Sequence, residues 1–485
     1  MASLSSAGIG SGLDVNGIVT KLMSIESQPL VLLQQKEASY QAKLSAYGNL
    51  KSAVSTLQSA VTSLKTTSLY TAMSATVSDS SVASASAVAT AVAGSYQVNV
   101  TSLAKAQNLA TKANFSSHTS DIASANGKIK IELGTYSGGV FTADSAKTPT
   151  TLEIDAGSSS LDDIRDQINA SSAGVRASVV YVGKDGTGTD IYKLSLTAKE
   201  SGAANSMRIT VMDSSDTVLT DNTGLAQLSY DPTKAAGTGN EFDVATPAQD
   251  AQLTIDGIAV TRSSNTITDA INGVTLTLAK EDSFSVKIAK DTAGVKTTIN
   301  SFVTAYNELN TLIHELSAYD ADTKTAAVLT GDSGIRSLQS ALRQMIFYSP
   351  NIAGSSVNTL SSIGVTLQKD GSLEFDATKY DEADSADVAA LFSTNTSSTQ
   401  GLAVKMSNVV NSMLADNGLL ASRTDGITRT IDSITDQQEA MQRRLAQVEK
   451  RYLAQYSALD TLLANMQSTS SYLTQQLAKL PSASS

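Results

Sequence analysis

Histidine, serine and acidic residues are the side chains of this sequence from which a hydrolytic site could be built. The chain of 485 residues contains only two histidines, His118 and His314, which lie far apart in the sequence. His118 sits in a polar stretch rich in serine and threonine, whereas His314 falls inside a predicted helix with an apolar stripe. No serine lies in the strand–turn–helix context of a nucleophile elbow, so the sequence does not predict a Ser-His-Asp triad.

Neighbouring carboxylates are the second group that could do chemistry, as metal ligands or as general acids and bases. Such pairs occur at Asp162-Asp163, Glu281-Asp282 and Asp381-Glu382. Acid pairs at turns and helix starts usually cap the helix or face solvent. The acidic stretch 213–221 lacks the aspartate spacing of a calcium loop, although a weak surface calcium site is the alternative. Without any cysteine, thiolate metal sites and disulfides are excluded.

Two short motifs partly resemble ligand-binding sites. The glycines of the segment 8–12 could cradle a phosphate, but neither a preceding strand nor a following Gly-Lys-Ser/Thr accompanies them. We therefore expect a pliable leader there. Near the other end, the basic residues alternate with Glu439 and Glu449, which is typical of the solvated face of a coiled coil. The sequence thus predicts no catalytic residue, no metal ligand and no cofactor.

Charge and composition restrict the possible partners further. The chain has a formal net charge of −11, whereas a nucleic-acid-binding protein needs a basic face, so we expect no nucleic-acid partner. No apolar run approaches the roughly 18 residues that a membrane-spanning helix needs, so we expect no membrane insertion. No basic segment followed by an apolar one opens the sequence, and we expect no cleaved secretory signal.

The longest periodic stretch of the chain is the last one, 427–480. Apolar residues recur there every seven residues without an interrupting glycine or proline, which predicts a long helix whose stripe must be covered by another helix. Gln438 lies in this stripe and is expected either to fix the register or to face solvent. The residues predicted to contact a partner helix are Ile431, Ile434, Met441, Leu445, Val448, Tyr452, Leu459, Leu462, Met466 and Leu473.

A second periodic stretch, 30–64, lies near the start of the chain. Asp14 can cap a short helix ahead of it, and Pro29 marks a break or a new first turn. The most economical arrangement pairs this stretch with the last helix and leaves the middle of the chain as an insertion. The contact residues predicted on this side are Leu33, Tyr40, Tyr47 and Val54.

The middle of the chain is predicted to be rich in strands. Alternation with period two appears at 95–100 and recurs to residue 288, with a polar stretch at 217–247 that predicts a loop or a module edge. Helical spacing returns at Val295, and Asp332 can cap a later helix. The predicted fold class is multidomain α+β, with terminal helices forming a coiled-coil leg, a helical-bundle body domain and one or two inserted β-rich head modules.

Motifs at both ends of the chain resemble those of one known family. The opening run Ala7-Gly8-Ile9-Gly10-Ser11-Gly12-Leu13-Asp14 resembles the amino terminus of flagellar filament cap proteins, the FliD or hook-associated protein 2 family. The closing run Ser470-Ser471-Tyr472-Leu473-Thr474-Gln475-Gln476 is similar to the carboxy terminus of that family. The stretch 151–211 resembles the insertion motif of flagellins and hook-associated proteins.

This resemblance implies a structural assembly factor and not an enzyme. Such a protein caps the distal tip of the bacterial flagellum and promotes ordered insertion of exported flagellin. The implied partners are copies of itself in a ring, most often a pentamer, flagellin and the filament tip, hook-associated junction proteins, a cytoplasmic export chaperone that holds the C-terminal helix, and in some members host mucin. Secretion through the flagellar type III export apparatus is implied as well.

The resemblance and the periodicity together divide the chain into four parts. We predict a terminal leg from residues 1–44 and 421–485, a helical body from 45–72 and 293–420, an inner β-rich module from 73–124 and 245–292, and an outer β-rich module from 125–244.

Two other classes of protein remain open at this stage. A flagellin or a hook–filament junction protein also has helical ends and a variable middle. A lectin or an enzyme could be grafted into the β-rich insert, and glycan binding would need exposed aromatic rings. The aromatic residues available for it are Tyr136, Phe141, Tyr181, Tyr192 and Tyr230.

Overall fold

A computed structural model describes residues 12–396 and 398–478 of the chain. The glycines at positions 8 and 10, most of the opening motif and Leu480 at the end of the predicted last helix lie outside the described residues. The described chain folds into two compact units: a helical unit, which runs up to Tyr70 and resumes at Thr292, and a β-rich unit between Thr71 and Asp291. The predicted α+β fold class, with helical ends around a strand-rich middle, is therefore confirmed.

The helical unit is built mainly from long helices near the two ends of the chain. Asp14 caps the first one by accepting a hydrogen bond from the Gly17 N–H, as predicted. Pro29 occupies the first turn of the second helix, where its missing N–H costs no intrahelical bond, so it starts a helix and does not break one. The helices outside the β-rich unit are α1 (Val15–Glu26), α2 (Gln28–Lys65), α3 (Ser68–Thr71), α5 (Thr292–Ser317), α6 (Ser333–Ile346), α7 (Ala377–Asp381), α8 (Ser385–Ser393), α9 (Leu402–Leu414) and α10 (Leu419–Ala478).

One continuous core holds the helical unit together. The inward row of α2, with Leu50, Leu57 and Leu64 fully buried, packs in this core with Ile299 and Phe302 of α5. Asp332 caps α6 as predicted, because its carboxylate accepts the Gly334 N–H. Helix α10 begins at Leu419, earlier than the predicted start at Ile427. Gly426 therefore lies inside the helix, one residue before the predicted start.

Short strand pairs complete the helical unit. One antiparallel hairpin lies within 364–376, and a second small antiparallel pair follows α5. These strands are β17 (Tyr319–Asp320), β18 (Thr325–Ala326), β19 (Val365–Leu367) and β20 (Leu373–Phe375).

The β-rich unit contains two sheet pairs, each around its own core. In the first, a five-stranded sheet of order β1-β16-β3-β12-β13 shares a core with a three-stranded sheet of order β14-β15-β2. Strand β3 is central, and its Val98 is opposite Phe284 on one side and Ile255 on the other. The strands are β1 (Met73–Val77), β2 (Ala83–Ala87), β3 (Gly94–Ser102), β12 (Ala251–Ile255), β13 (Ile258–Arg262), β14 (Thr266–Ile271), β15 (Val274–Leu278) and β16 (Ser283–Lys290).

The second sheet pair is inserted between β3 and β12. One sheet has the order β10-β5-β6 with β7 also on β5, the other has the order β11-β4-β9-β8, and helix α4 (Leu161–Ala170) contributes to their common core. Because β3 and β12 are hydrogen-bonded neighbours, the inserted chain leaves and returns at one place. The strands are β4 (Asn108–Thr111), β5 (Gly127–Ser137), β6 (Val140–Ala143), β7 (Thr150–Ile154), β8 (Val175–Lys184), β9 (Asp190–Ala198), β10 (Ser206–Asp213) and β11 (Phe242–Thr246).

The stretch 217–247 differs from its prediction as a loop or module edge. It supplies Leu225, Tyr230 and Phe242 to the second core, and the last of these begins strand β11. Isolated apolar residues among serine, glycine and aspartate give no periodic signal, so the sequence could not show that they anchor a folded segment. Leu225 and Leu228 lie in a short 3₁₀ helix, which fixes their side chains towards the core.

Candidate partner-binding surface on the terminal helices

Helices α2 and α10 pack against each other in antiparallel orientation, and α1 continues the pairing along α10. Two hydrogen bonds between side chains set the register. The Gln438 amide donates to Glu37 Oε2 at 2.6 Å, and the Tyr452 hydroxyl donates to Glu26 Oε1 at 3.1 Å. Glu37 also accepts from Gln41 within its own helix at 2.8 Å. Gln438 therefore takes the register-fixing alternative of its two sequence interpretations, because its amide is paired across the two helices.

The predicted contact residues fall into three groups by burial, and the first group is fully covered. Tyr47 and Val54 belong to the core of the helical unit, with exposures of 1% and 0%. On α10, Ile434, Leu445 and Val448 are buried where α1 and α2 lie alongside. These five positions are contacts within one chain, so they are not free to bind a partner in this arrangement.

The second group is half-buried along the line where the helices meet. It comprises Leu33 and Tyr40 on α2 and Ile431, Met441 and Tyr452 on α10. Each presents part of its side chain to the opposing helix and part to solvent, as the seam of a two-stranded coiled coil does at its rim. A third helix could still pack against this line.

The third group is exposed. Leu459, Leu462, Met466 and Leu473 have exposed fractions of 41%, 56%, 61% and 54%. Within 461–478 every described residue is exposed except Ala464, which is half-buried. The apolar members of this stretch recur at helical spacing on one face. We call them the distal stripe: Leu459, Leu462, Leu463, Met466, Leu473 and Leu477.

A polar cluster lies where the paired helices enter the core of the helical unit. The Tyr47 hydroxyl donates to Asp332 Oδ1 at 2.7 Å, and the Arg423 guanidinium donates to Ser333. Burial and the adjacent carboxylate raise the pKa of Tyr47 far above its usual value. For Asp332, burial alone would raise the pKa, but the hydrogen bonds from Tyr47 and the Gly334 N–H hold it below its usual value. The cluster thus ties α2 to α6 through the Asp332 carboxylate, and α10 to α6 through Arg423 and Ser333.

Helices α2 and α10 each carry a glycine, and the two glycines lie at about the same height along the pair. The register of the cross-helix bonds places Gly48 of α2 near Gly426 of α10. A methyl group added to either glycine would meet no atom within 4 Å. Packing therefore does not require glycine at these positions.

The residues considered for chemistry take structural roles. His118 Nδ1 lies 2.6 Å from Asp162 Oδ2, and its ring packs against Tyr192. Asp163 completes a capping box at the start of α4, and Asp381 pairs with Lys296 at 2.5 Å. Among the residues that the structure describes, no group of three or more histidines and acids could hold a metal ion.

The described residues also bear on the expectations about membrane insertion and glycan binding. None of the described helices combines the length and apolarity needed to cross a bilayer. Of the five aromatic residues considered for glycan binding, Tyr230 is buried, Tyr136, Phe141 and Tyr192 are half-buried, and Tyr181 is 53% exposed. Tyr181 and Tyr192 have ring centroids 5.3 Å apart, so His118, Tyr192 and Tyr181 form a short row of rings.

Sequence analysis missed several contacts that shape this surface. Val15 and Val19 of α1 have exposed fractions of only 1% and 4%, and their helix lies against α10. Their spacing of four residues behind a capping aspartate was visible in the sequence, but it could not show which helix they cover. Glu26 and Glu37, which accept the bonds across the pair, were missed because a charged residue in a long polar helix carries no signal of its own.

Comparison with family models finds three matches along the chain. The model described as "Flagellar hook-associated protein 2 N-terminus" matches residues 11–107, and "Flagellar hook-associated protein 2 C-terminus" matches residues 248–468. Between them, the model described as "Flagellin hook IN motif" matches residues 135–200. The two terminal models leave uncovered most of the sheet pair inserted between β3 and β12.

Known proteins and solved structures agree with these models. A flagellar hook-associated protein 2 from Escherichia coli strain K12 is 36% identical over 489 residues, covering 98% of both chains. One from Salmonella typhimurium is 35% identical over 490 residues, again covering 98% of each. The crystal structure of the D1-D2-D3 domains of the flagellar cap protein FliD from Escherichia coli is 34% identical with a TM-score of 0.57, covering 79% of this chain and 99% of that one.

Proposed function

This chain belongs to the flagellar hook-associated protein 2 (FliD) family, and from that membership we propose that it caps the distal tip of a bacterial flagellar filament. In this role it is a structural assembly factor, without enzymatic activity, that promotes the ordered insertion of exported flagellin. The alternative of a flagellin or a hook–filament junction protein is less favoured, because the relatives that match over 98% of the chain are hook-associated protein 2.

The distal stripe is the observation that supports this role most directly. Its side chains are partly exposed, and each gains at most roughly 1.5–3 kcal/mol when a partner buries the rest of its surface. Docking on helical filament subunits would bury the stripe, and an amphipathic helix laid against another helix is a common mode of recognition. The proposal is that α10 contacts the filament end through these residues and releases it as each flagellin enters.

The test replaces three members of the stripe. A Leu462→Ser/Met466→Ser/Leu473→Ser variant is produced in a strain that lacks its own cap protein. We expect the variant to fold but to leave filaments short or absent, with flagellin shed into the medium. Filament length by electron microscopy and flagellin in the supernatant are the measurements.

A matched control changes the opposite face of the same helix. Thr461→Ser/Ser468→Ala/Gln475→Ser lies half a turn away from the stripe and should support filaments of normal length. Normal filaments from the stripe variant as well would contradict the proposed role of this surface.

Before assembly, we propose that a cytoplasmic export chaperone covers the same helix. An apolar stripe of this size left bare in the cytoplasm would invite aggregation, so a dedicated partner for α10 is physically reasonable. Secretion through the flagellar type III export apparatus, with the distal tip as destination, is part of this proposal. The chaperone should lose affinity for the stripe variant and keep it for the opposite-face control.

At its site of action we propose that the chain forms a ring of identical copies, most often a pentamer in this family. Such a ring would sit on flagellin at the filament tip and on hook-associated junction proteins before the filament grows. Sedimentation of the purified full-length chain should give a discrete oligomer, whereas a monomer at all concentrations would contradict the ring.

Adhesion to host mucin is a second, separable proposal. The row of rings formed by His118, Tyr192 and Tyr181 supports it, since Tyr181 is half exposed and could stack on a sugar. The Tyr181→Ala variant should bind purified mucin more weakly than the wild type. The control is Tyr319→Ala, which changes a tyrosine of similar exposure in the helical unit and should bind mucin normally. Equal binding by both variants would contradict this proposal.

A further inference from the structure

Helix α6 carries a solvent-facing row that the proposed function does not use. Arg336, Arg343 and Phe347 follow one another at intervals of seven and four residues, which places them on one face of the helix. The opposite face is buried through Ile335, Leu338 and Leu342. Phe347, at the end of the helix, has 70% of its surface exposed, which is unusual for a large aromatic side chain beside a core.

Three cations and one carboxylate lie around Phe347: Arg336, Arg343 and Lys369, with Asp370 beside Lys369 in the same cleft. Among the described residues, Arg336, Arg343 and Lys369 belong to none of the ion pairs. This is notable in a chain whose net charge is −11. We call these three cations together with Phe347 the α6 patch.

Two clefts border the α6 patch and could receive side chains. One, of about 450 Å³, lies between α6 and the turn of the β19–β20 hairpin, with Phe347, Arg343 and Lys369 in its wall. The other, of about 510 Å³, lies along α6 and includes Arg336 and Phe347. An exposed aromatic ring between two clefts and within reach of unpaired cations has the chemistry of a docking site for an acidic surface.

An acidic surface of this kind exists elsewhere in the helical unit. The run 381–384, between α7 and α8, exposes Asp381, Glu382 and Asp384. Asp381 pairs with Lys296 in the first turns of α5, at 2.5 Å. Asp384 caps α8 through backbone N–H groups and keeps its charge towards solvent, and Glu382 is in none of the ion pairs of the described chain.

These two surfaces of one chain cannot reach each other. The acidic run lies beside Lys296, near the start of α5, whereas the cleft of the α6 patch is lined by Asn310 and His314, near its end. Fourteen residues separate Lys296 from Asn310, which is about 20 Å along a helix. The acidic run of the same chain therefore does not reach the α6 patch, whereas the run of a second copy could.

We propose that the α6 patch docks a second copy of this chain, whose acidic run 381–384 presents Glu382 and Asp384 to the cations Arg336, Arg343 and Lys369 while Phe347 is covered. Two different surfaces meet in this contact, so it is heterologous and each copy can bind one neighbour on either side. That geometry closes a ring when the rotation between copies permits. The inference rests on the ring of the proposed function and assigns one of its contacts to the helical unit.

The test reverses the cations and measures self-association of the full-length chain by sedimentation velocity. Arg336→Glu/Arg343→Glu should raise the dissociation constant between copies at least about tenfold, as should Phe347→Ser, because each removes a central part of the contact. All three residues are exposed, so the thermal unfolding midpoint should hardly move. Lys51→Glu/Lys65→Glu is the matched control, with the same change of charge on exposed lysines of α2.

A compensating variant tests the pairing itself. Adding Glu382→Arg to Arg343→Glu should restore much of the association that Arg343→Glu alone loses. The inference is overturned if the α6 variants associate like the wild type, if the lysine control weakens association equally, or if the wild type does not associate at all.

The proposed capping function is tested separately, by the filament growth of the distal-stripe variant. If the α6 variants associate normally and the distal-stripe variant still abolishes filament growth, the α6 contact is wrong while the capping role stands. If the stripe variant grows normal filaments while the α6 variants dissociate, the capping mechanism is wrong and the contact between copies stands.

Discussion

The two ends of the α2–α10 pair are built from the same seven-residue pattern but differ in what covers them. Near the core of the helical unit, Leu50 of α2 and Leu420 of α10 are 0% and 1% exposed. At the other end of α10, Met466 and Leu473 are more than half exposed. The seven-residue period runs along the whole of α10 between these ends, but α1 and α2 cover only part of it.

This difference separates stability from binding. Apolar burial near the core is already complete, so substitutions there act on folding. The distal stripe is exposed, so substitutions there should leave folding unchanged and, if the proposed docking is right, lower the affinity for the partner. One amphipathic helix can therefore serve two purposes along its length, and their boundary is set by where α1 and α2 stop covering it.

The largest effect expected from this contrast is on the stability of the helical unit. Leu50→Ala should lower the free energy of unfolding by about 2–5 kcal/mol, because it leaves a cavity in a closed core. Met466→Ala should change it by less than about 0.5 kcal/mol, because the side chain is exposed. Urea unfolding followed by circular dichroism measures both, and equal effects would show that the contrast between the two ends does not hold.

A smaller effect is expected at the polar cluster between these ends. Tyr47→Phe removes a hydrogen bond to a charged carboxylate and should cost about 1.5–3 kcal/mol at neutral pH. The pKa of Asp332 is lowered in the folded state. The stability that its charged form contributes is therefore complete above the unfolded-state pKa of about 3.9, and it is lost as the pH falls through the folded-state pKa.

The pH profile of unfolding distinguishes this cluster from a simple packing loss. The wild type should lose stability below pH 4 more steeply than Tyr47→Phe, in which Asp332 is held less strongly in its charged form. Tyr40→Phe, at a half-buried position farther along α2, is the matched control. Parallel profiles for wild type and Tyr47→Phe would contradict the role of the hydrogen bond.

A further prediction concerns the register of the pair. Gln438→Ala removes the amide that bonds Glu37 across the helices and should cost about 1 kcal/mol. Gln437→Ala is the control, since that neighbour bonds only Ser433 within its own helix. Spin labels on exposed positions of α2 and α10 should show a broader distance distribution only for Gln438→Ala.

The smallest expected effect is a gain. Gly426→Ala adds a methyl group into open space within a helix and should stabilise the helical unit by up to about 1 kcal/mol. Gly334→Ala is the contrasting case, because its new methyl group would lie against the Tyr47 hydroxyl. A loss of stability from Gly426→Ala would show that glycine has a packing role there which the structure does not contain.

Much of the architecture could be predicted from the sequence because it depends on local chemistry. The caps at Asp14 and Asp332, the new first turn at Pro29 and the long apolar periods each act within a few residues of the chain. They were enough to predict helical ends around a strand-rich middle. The boundaries of the four predicted parts stay a prediction, since the structure joins leg and body in one unit.

The candidate surface was less accessible to sequence analysis, because burial is decided by distant residues. Ile434 and Leu462 occupy equivalent places in the seven-residue pattern, yet one is covered and the other bare. The extent to which α1 and α2 cover α10 separates them, and no local signal encodes it. The role of the predicted contact residues in binding a partner stays a prediction that the variants above can decide.

The continuity of α2 has a mechanical consequence. Its 38 residues form a rod of about 57 Å without a loop, which passes from the half-buried rim at Leu33 to the closed core at Leu64. A force applied to the outer part of this rod is carried as bending into the core, where close packing resists deformation. A sideways force on the outer part would therefore swing it as a stiff lever about the Tyr47 cluster.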